Sequence, residues 1–179
     1  MLATQQIAAA LKRHPGKVTV LIPHYAMSGG TLLALAADEI LMDDNAVMGP
    51  VDPQVGGYSV VSLLRVVGEK DKNELEDSTL LLADVARTAL AQIQEFIGSL
   101  VQDRMAPPMA KELVTSLTEG RWTHDYPITP AQAKHLGVPV RNELSIEVYA
   151  LMALYPQPRQ ARPAVQFVAV PYRRESEPR

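Results

Sequence analysis

The chain contains no cysteine, which excludes a disulfide framework, a thiolate-held zinc or iron–sulfur site and a cysteine nucleophile. Histidine is scarce. His14, His24, His124 and His135 are the only four, and no two stand at the i, i+4 helical spacing of a paired-histidine zinc site. No metal and no cofactor is therefore expected. Positive charge is not in excess either: 17 Lys and Arg against 20 Asp and Glu leave a formal net charge of −3, which excludes nucleic-acid binding driven by overall basicity. Long apolar runs are missing too. The longest, residues 31–37, gives way to Asp38-Glu39, far short of the roughly 20 residues that cross a bilayer. The opening Met1-Leu2-Ala3-Thr4-Gln5-Gln6 has neither the basic flank nor the apolar stretch of a signal peptide. As given, the sequence reads as cytoplasmic, with membrane association expected only through a longer form carrying a further N-terminal segment.

What is present suits one domain: 179 residues, 47% of them hydrophobic, supply one core of ordinary size. Mixed three-to-four spacing of Leu2, Ile7, Ala10 and Leu11 predicts a first helix, stopped by His14-Pro15-Gly16. Residues 17–22 are β-branched and nearly all apolar, as in a strand buried on both faces. A parallel strand of that kind wants a neighbour ahead of the helix. None precedes it, so the domain reads as lacking its first strand or strands. A helix apolar on every side follows over 31–37, then a strand at 39–42 and a loop over 45–57. Further helices are expected at 60–67, 80–104, from Pro107 to near Gly120, and at 145–155, with an exposed charged connection over 69–77. Thr129-Pro130-Ala131-Gln132 has the composition of a capping box opening a helix that Gly137 ends. The domain is expected to occupy 1–155. Residues 156–179 form a Pro- and Arg-rich tail in which 165–170 has the composition of an edge strand.

The segment with chemical content is Pro23-His24-Tyr25-Ala26-Met27-Ser28-Gly29-Gly30-Thr31. It sets a serine on a sharp turn between a strand and a buried helix, with small residues two before (Ala26) and two after (Gly30), the logic of a nucleophile elbow without the strict G-x-S-x-G spelling. The helix N-terminus would place free N–H groups near the hydroxyl, and the Gly29 N–H could meet an oxyanion. A plainer reading stands beside it: Ser28 as an ordinary helix cap. A phosphate loop is excluded because no lysine follows the glycines.

These residues, with His14-Pro15-Gly16-Lys17, Ala36-Ala37-Asp38-Glu39-Ile40, Gly49-Pro50-Val51-Asp52-Pro53-Gln54, Thr79-Leu80-Leu81-Leu82 and Gly120-Arg121-Trp122-Thr123-His124-Asp125, resemble the serine dehydrogenase proteinase family. That family stands with the ClpP-class peptidases, close to signal peptide peptidase A, and the resemblance runs from about Leu2 to Pro158. It implies an α/β, ClpP/crotonase-like fold of repeated ββα units and a peptide or protein substrate. It also implies a homo-oligomer assembled through helices such as 80–104. Ser28 would be the nucleophile and Gly29 an oxyanion donor. ClpP carries a catalytic histidine where this sequence has Met48-Gly49-Pro50, so the histidine is missing. Signal peptide peptidase A uses a lysine from a charged stretch that corresponds here to Glu69-Lys70-Asp71-Lys72, which implies Lys70 as base and Lys72 as the second candidate.

A lysine serves as base only when its amine is neutral, which burial or nearby positive charge brings about. The flanking Glu69, Asp71, Glu74 and Glu76 work against this, and Lys70 alone reads as a solvated loop residue unless a partner subunit covers it. His24 reads first as a hydrogen-bonded structural histidine and second as a base. His124-Asp125 reads first as a turn stabiliser and second as a catalytic pair. Trp122 and Tyr126 read as packing residues. Relatives in the resemblance carry a Pro-Gly-Gly-type turn ahead of the first helix, whose N–H groups complete the oxyanion hole, and nothing before Leu2 matches it. Loss of one oxyanion donor costs about a hundred- to a thousandfold in rate. The expected function is thus a serine hydrolase, a Ser/Lys peptidase working through an acyl-enzyme. The alternative is a weak or inactive interaction subunit of the same class. A crotonase-type acyl-CoA enzyme would have no need of Ser28, and the elbow argues against it.

Overall fold

A computed structural model describes residues 2–155 and shows a mixed helix-and-sheet domain. The tail expected over 156–179, with its edge strand, lies outside the described residues.

Helix α1 (Leu2–Lys12) leads by way of the 14–16 turn into β1 (Thr19–Ile22). β1 lies parallel to β3 (Glu39–Met42) in the register Thr19↔Glu39, and β3 lies parallel to β7 (Val140–Arg141). A second parallel pair joins β2 (Tyr25–Ala26) to β4 (Val47–Met48), with Ala26 opposite Met48. β5 (Gln54–Val55) and β6 (Tyr58–Ser59) form a tight hairpin whose two turn residues, Gly56 and Gly57, have φ of 61° and 84°. Those are the left-handed values that a two-residue hairpin with the favoured twist demands. The sequence reads the 45–57 stretch as loop and does not reveal β2, β4, β5, β6 or β7. Each is only two residues long, too short to show an alternation.

β1 departs from expectation. It sits at the edge of the three-stranded sheet, with Thr19 exposed, Leu21 43% exposed and Ile22 buried. An apolar run signals a fully buried strand only when both faces are covered, and here one face meets solvent.

The remaining helices are α2 (Gly29–Ala36), α3 (Val60–Glu69), α4 (Asp77–Val101), α5 (Pro107–Thr118), α6 (Pro130–His135) and α7 (Ile146–Ala153). One 3-10 turn (Lys72–Glu74) lies between α3 and α4. α2 is buried along most of its length, as its apolar composition predicts. With Ile40, Met42, Ile97, Leu100, Leu113 and Ile128 it makes the centre of the core. α1 lies across α2 with Ala8 buried, and Lys12 reaches the far end of α4, donating to the Leu100 carbonyl at 2.8 Å and pairing with Asp103 at 3.1 Å. Arg104 closes the C-terminus of α2 by donating to the Ala36 carbonyl (3.1 Å) and the Ala37 carbonyl while pairing with Asp38, where a helix end favours a cation. The capping box at α6 forms as read: Thr129 accepts the Gln132 N–H at 3.3 Å and Gln132 accepts the Thr129 N–H at 2.9 Å. No helix among the described residues is long and apolar enough to cross a membrane.

Candidate active site

β2 ends at Ala26, and the chain reverses over Met27 and Ser28 to enter α2 at Gly29. The Gly30 N–H donates to the Met27 carbonyl at 2.7 Å, closing a four-residue turn with Ser28 in its second position. Ser28 there has φ 47° and ψ −101° and is the one non-glycine residue with positive φ among the described residues. Such a conformation costs a side-chain-bearing residue about 1–3 kcal/mol and persists only where the surroundings enforce it.

The enforcement is visible. A Cβ on Gly30 would come 3.3 Å from the Cβ of Ala26, so both small residues are needed for the chain to fold back. Thr31, fully buried, shares its hydroxyl proton between the carbonyls of Ala26 (2.8 Å) and Gly49 (2.7 Å), and its oxygen accepts the Gly49 N–H at 3.3 Å. Gly49 lies so close to the elbow that a Cβ there would fall 2.5 Å from Met27 Cε and 3.2 Å from Met27 Cα. On the other side Gly29 meets α1, where a Cβ would fall 3.2 Å from the Thr4 side chain.

The capping reading of Ser28 does not match this geometry. Its side chain makes no cap hydrogen bond, and only its carbonyl joins the helix, accepting the Leu32 N–H at 3.2 Å. The half-buried Ser28 hydroxyl and the Gly29 N–H have no hydrogen-bond partner among the described residues. A hydroxyl held at a strained turn beside an unused N–H at a helix start has the parts of a nucleophile and an oxyanion donor.

The candidate bases lie elsewhere. Lys70 caps the C-terminus of α3 through its own N–H, which donates to the Val66 carbonyl at 3.3 Å, and Lys72 opens the 3-10 turn. Both are exposed, and neither ammonium makes an ion pair or hydrogen bond among the described residues. α3 packs on α4 and β6, whereas α2 packs on α1, β2 and α4, and no hydrogen bond joins either lysine to Ser28.

His24 is exposed, its ring tilted 60° from that of Tyr149 at 6.1 Å, and its ring makes no hydrogen bond among the described residues. Tyr149 instead donates to Asp43. That bond and then the Asn45 N–H hold the Asp43 carboxyl below its ordinary range, while the same bond pushes the Tyr149 hydroxyl up.

His124 lies in a turn, the first of its two readings, and has an acid near it that the sequence did not point to. The acid beside it is Asp52, with Nδ1 4.0 Å from Oδ2, and not its neighbour Asp125. His124 and Asp125 are the two central residues of a turn closed by the Tyr126 N–H donating to the Thr123 carbonyl at 3.0 Å. Asp52 is 6% exposed and accepts from Gln54 Nε2 at 2.7 Å and Ser59 Oγ at 2.9 Å. Sequence reasoning passed over Asp52 as turn punctuation before Pro53. Trp122 and Tyr126 do pack, as expected, with ring centroids 5.1 Å apart and planes 7° from parallel.

A family model for ClpP-like SDH-type serine proteinases matches residues 1–179. Two uncharacterized proteins of Methanocaldococcus jannaschii are similar to the chain. MJ0137 is 52% identical over 176 residues, which cover 98% of this chain and 62% of that protein. MJ1495 is 51% identical over 177 residues, covering 98% and 60%. The chain thus spans about three fifths of the length of these curated relatives.

Proposed function

This chain belongs to the ClpP-like SDH-type serine proteinases, and from that footing we propose that it is a peptidase with Ser28 as nucleophile. Ser28 Oγ attacks the scissile carbonyl and the Gly29 N–H donates to the oxyanion of the tetrahedral intermediate. The amine leaves with the proton that the base took from Ser28, and water hydrolyses the acyl-enzyme, returning the serine hydroxyl. The observation that carries this is the backbone of Ser28: a serine with an unused hydroxyl sits where only glycine is unstrained.

Lys70 accepts the Ser28 proton in this reading, with Lys72 as its substitute. Burial is what makes a lysine neutral, and a second copy of the chain covering the 69–77 segment would bury it. Exposed apolar residues beside that segment support self-association: Leu81 (70% exposed) and Val85 (54%) on α4, with Val66 on α3. The order β1–β2–α2 followed by β3–β4, with like strands pairing in parallel, supports the ββα repeat of a crotonase-like fold. The competing reading is an interaction subunit that keeps the fold without the chemistry. It draws on the exposed lysines and on the lack, among the described residues, of any side chain hydrogen-bonded to Ser28.

Fluorophosphonate labelling separates the two. The purified chain should gain the mass of one adduct, and Ser28→Ala should gain none. A folded chain that takes no adduct, or an adduct that survives Ser28→Ala, overturns the assignment.

A further inference from the structure

Three separate segments converge on a cleft of about 420 Å³ that the proposed chemistry leaves unused. Asp52 comes from the loop after β4, Arg65 from α3, and Arg121, Trp122 and His124 from the turn after α5. The carboxylate of Asp52 is already occupied, one oxygen by Gln54 and the other by Ser59, so it is a strut of the cleft floor. The two guanidinium groups are not occupied. Neither Arg65 nor Arg121 has an ion-pair or hydrogen-bond partner among the described residues.

Arg121 is nonetheless held in place. Its guanidinium lies over the Trp122 ring at 5.1 Å, Trp122 is stacked on Tyr126, and the Tyr126 hydroxyl accepts from Gln132 Nε2 at 2.9 Å. The turn itself is pressed onto α3: Gly120 has φ 68°, and a Cβ there would fall 2.7 Å from Val61 Cγ1. Val61 stands one helical turn before Arg65 on the same helix, so the backbones that carry the two arginines are packed against each other.

We propose that this cleft binds a carboxylate of the peptide substrate between Arg65 and Arg121, a reading that rests on the peptidase assignment above. A planar guanidinium fork matches a carboxylate in two parallel hydrogen bonds, and two forks against the one acid of the lining, the hydrogen-bonded Asp52, leave an excess of positive charge that selects an anion over a cation. The cleft and the elbow share one loop: the Gly49 N–H donates to the Ala26 carbonyl at 3.0 Å, and Asp52 follows three residues later. In this proposal an extended peptide lies along that loop from one to the other. The carboxylate comes from an acidic side chain or from the peptide's C-terminus.

Trp122 is the single tryptophan of the chain and stacks under Arg121, so its fluorescence reports occupancy without turnover. The full chain carrying Ser28→Ala is titrated with four peptides of one neutral sequence: Gln with an amidated end, Gln with a free acid, Glu with an amidated end, and Glu with a free acid. At least one acid-bearing peptide should bind about tenfold or more tightly than the neutral one. The free-acid arm identifies a C-terminus and the Glu arm a side chain. Arg65→Gln, at an exposed helix position, should remove that preference, Arg121→Gln likewise, and Arg65→Lys should restore only part of it. Equal binding of all four peptides, or a preference that survives both Arg→Gln substitutions, overturns the proposal. So does a saturable response to inorganic phosphate with no preference among the peptides. Failure of fluorophosphonate labelling with the acid preference intact removes the peptidase and leaves the cleft; the converse removes only the cleft.

Discussion

Replacing Ser28 with glycine should make the protein more stable, against the usual direction of a serine-to-glycine change at a helix start. At φ 47° and ψ −101° the serine carries strain of about 1–3 kcal/mol that glycine does not. Glycine's greater freedom in the unfolded chain takes back about 0.5–1 kcal/mol, leaving a net gain of up to about 2.5 kcal/mol, centred on about 1. For a chain of 179 residues each kcal/mol moves Tm by about 2–4 °C. Ser28→Ala keeps the Cβ and loses no cap bond, since none exists, so its effect should stay within about 0.5 kcal/mol. A serine that capped the helix with its side chain would lose about 1 kcal/mol on the same change. Urea midpoints and thermal melts of the three proteins, at one protein concentration so that self-association contributes equally, decide the matter. If Ser28→Ala costs about 1 kcal/mol and Ser28→Gly gains nothing, the strained-elbow account is refuted and the serine is a cap.

Gly49→Ala sets a methyl against Met27, where the side-chain tip can move but the Cα at 3.2 Å cannot. It should cost about 1–3 kcal/mol and slow fluorophosphonate labelling of Ser28 by at least about tenfold, and unchanged labelling would break the link between Gly49 and the elbow. Lys70→Ala should abolish peptide turnover, Lys72→Ala should be milder, and His24→Ala and His124→Ala should retain most activity. A dead His124→Ala beside two active lysine variants would replace the Ser/Lys assignment with a histidine mechanism. Tyr149→Phe tests the acid limb of stability. The Tyr149 hydroxyl, and after it the Asn45 N–H, holds Asp43 below its ordinary 3.8. That contribution is therefore full above the unfolded value and lost as pH falls through the folded one. The urea midpoints of wild type and Tyr149→Phe should differ at pH 7 and converge below about pH 4, and a gap of the same size at pH 3 would refute the linkage.

The parts legible in the sequence are those whose environment is made by near neighbours in the chain. The capping box of α6 needs only Thr129 and Gln132, three residues apart, and it forms as read. The buried α2 follows from residues 31–37 having no polar face. α4 was placed from its apolar spacing, and it begins at Asp77 because an acid in the first turn suits the helix dipole, three residues before the apolar pattern starts. β1 was misjudged as buried on both sides because an apolar run states what a strand would tolerate. What covers its second face is decided by other segments. The two-residue strands β4 and β7 exist only because β2 and β3 offer them an edge.

The same division runs through the site. Ala26, Ser28 and Gly30 announce an elbow by their spacing, yet nothing local shows that the elbow is bolted from outside. The bolt is Thr31 bound to Gly49, eighteen residues away, with Gly49 pressed on Met27. The strain at Ser28 therefore depends on the 49–54 loop being in place. That loop is in turn fixed from further along the chain: Met48 and Ile128 exchange both hydrogen bonds, at 2.9 and 2.8 Å, and the Val51 N–H donates to the Leu117 carbonyl at 2.9 Å. Asp52, next on the loop, then props the hairpin and faces His124. Hydrogen bonds thus run from Ile128 through Met48 and the adjoining Gly49 to Ala26, two residues before Ser28. This route makes the loop, and not any single side chain, the element that ties the elbow to the arginine cleft.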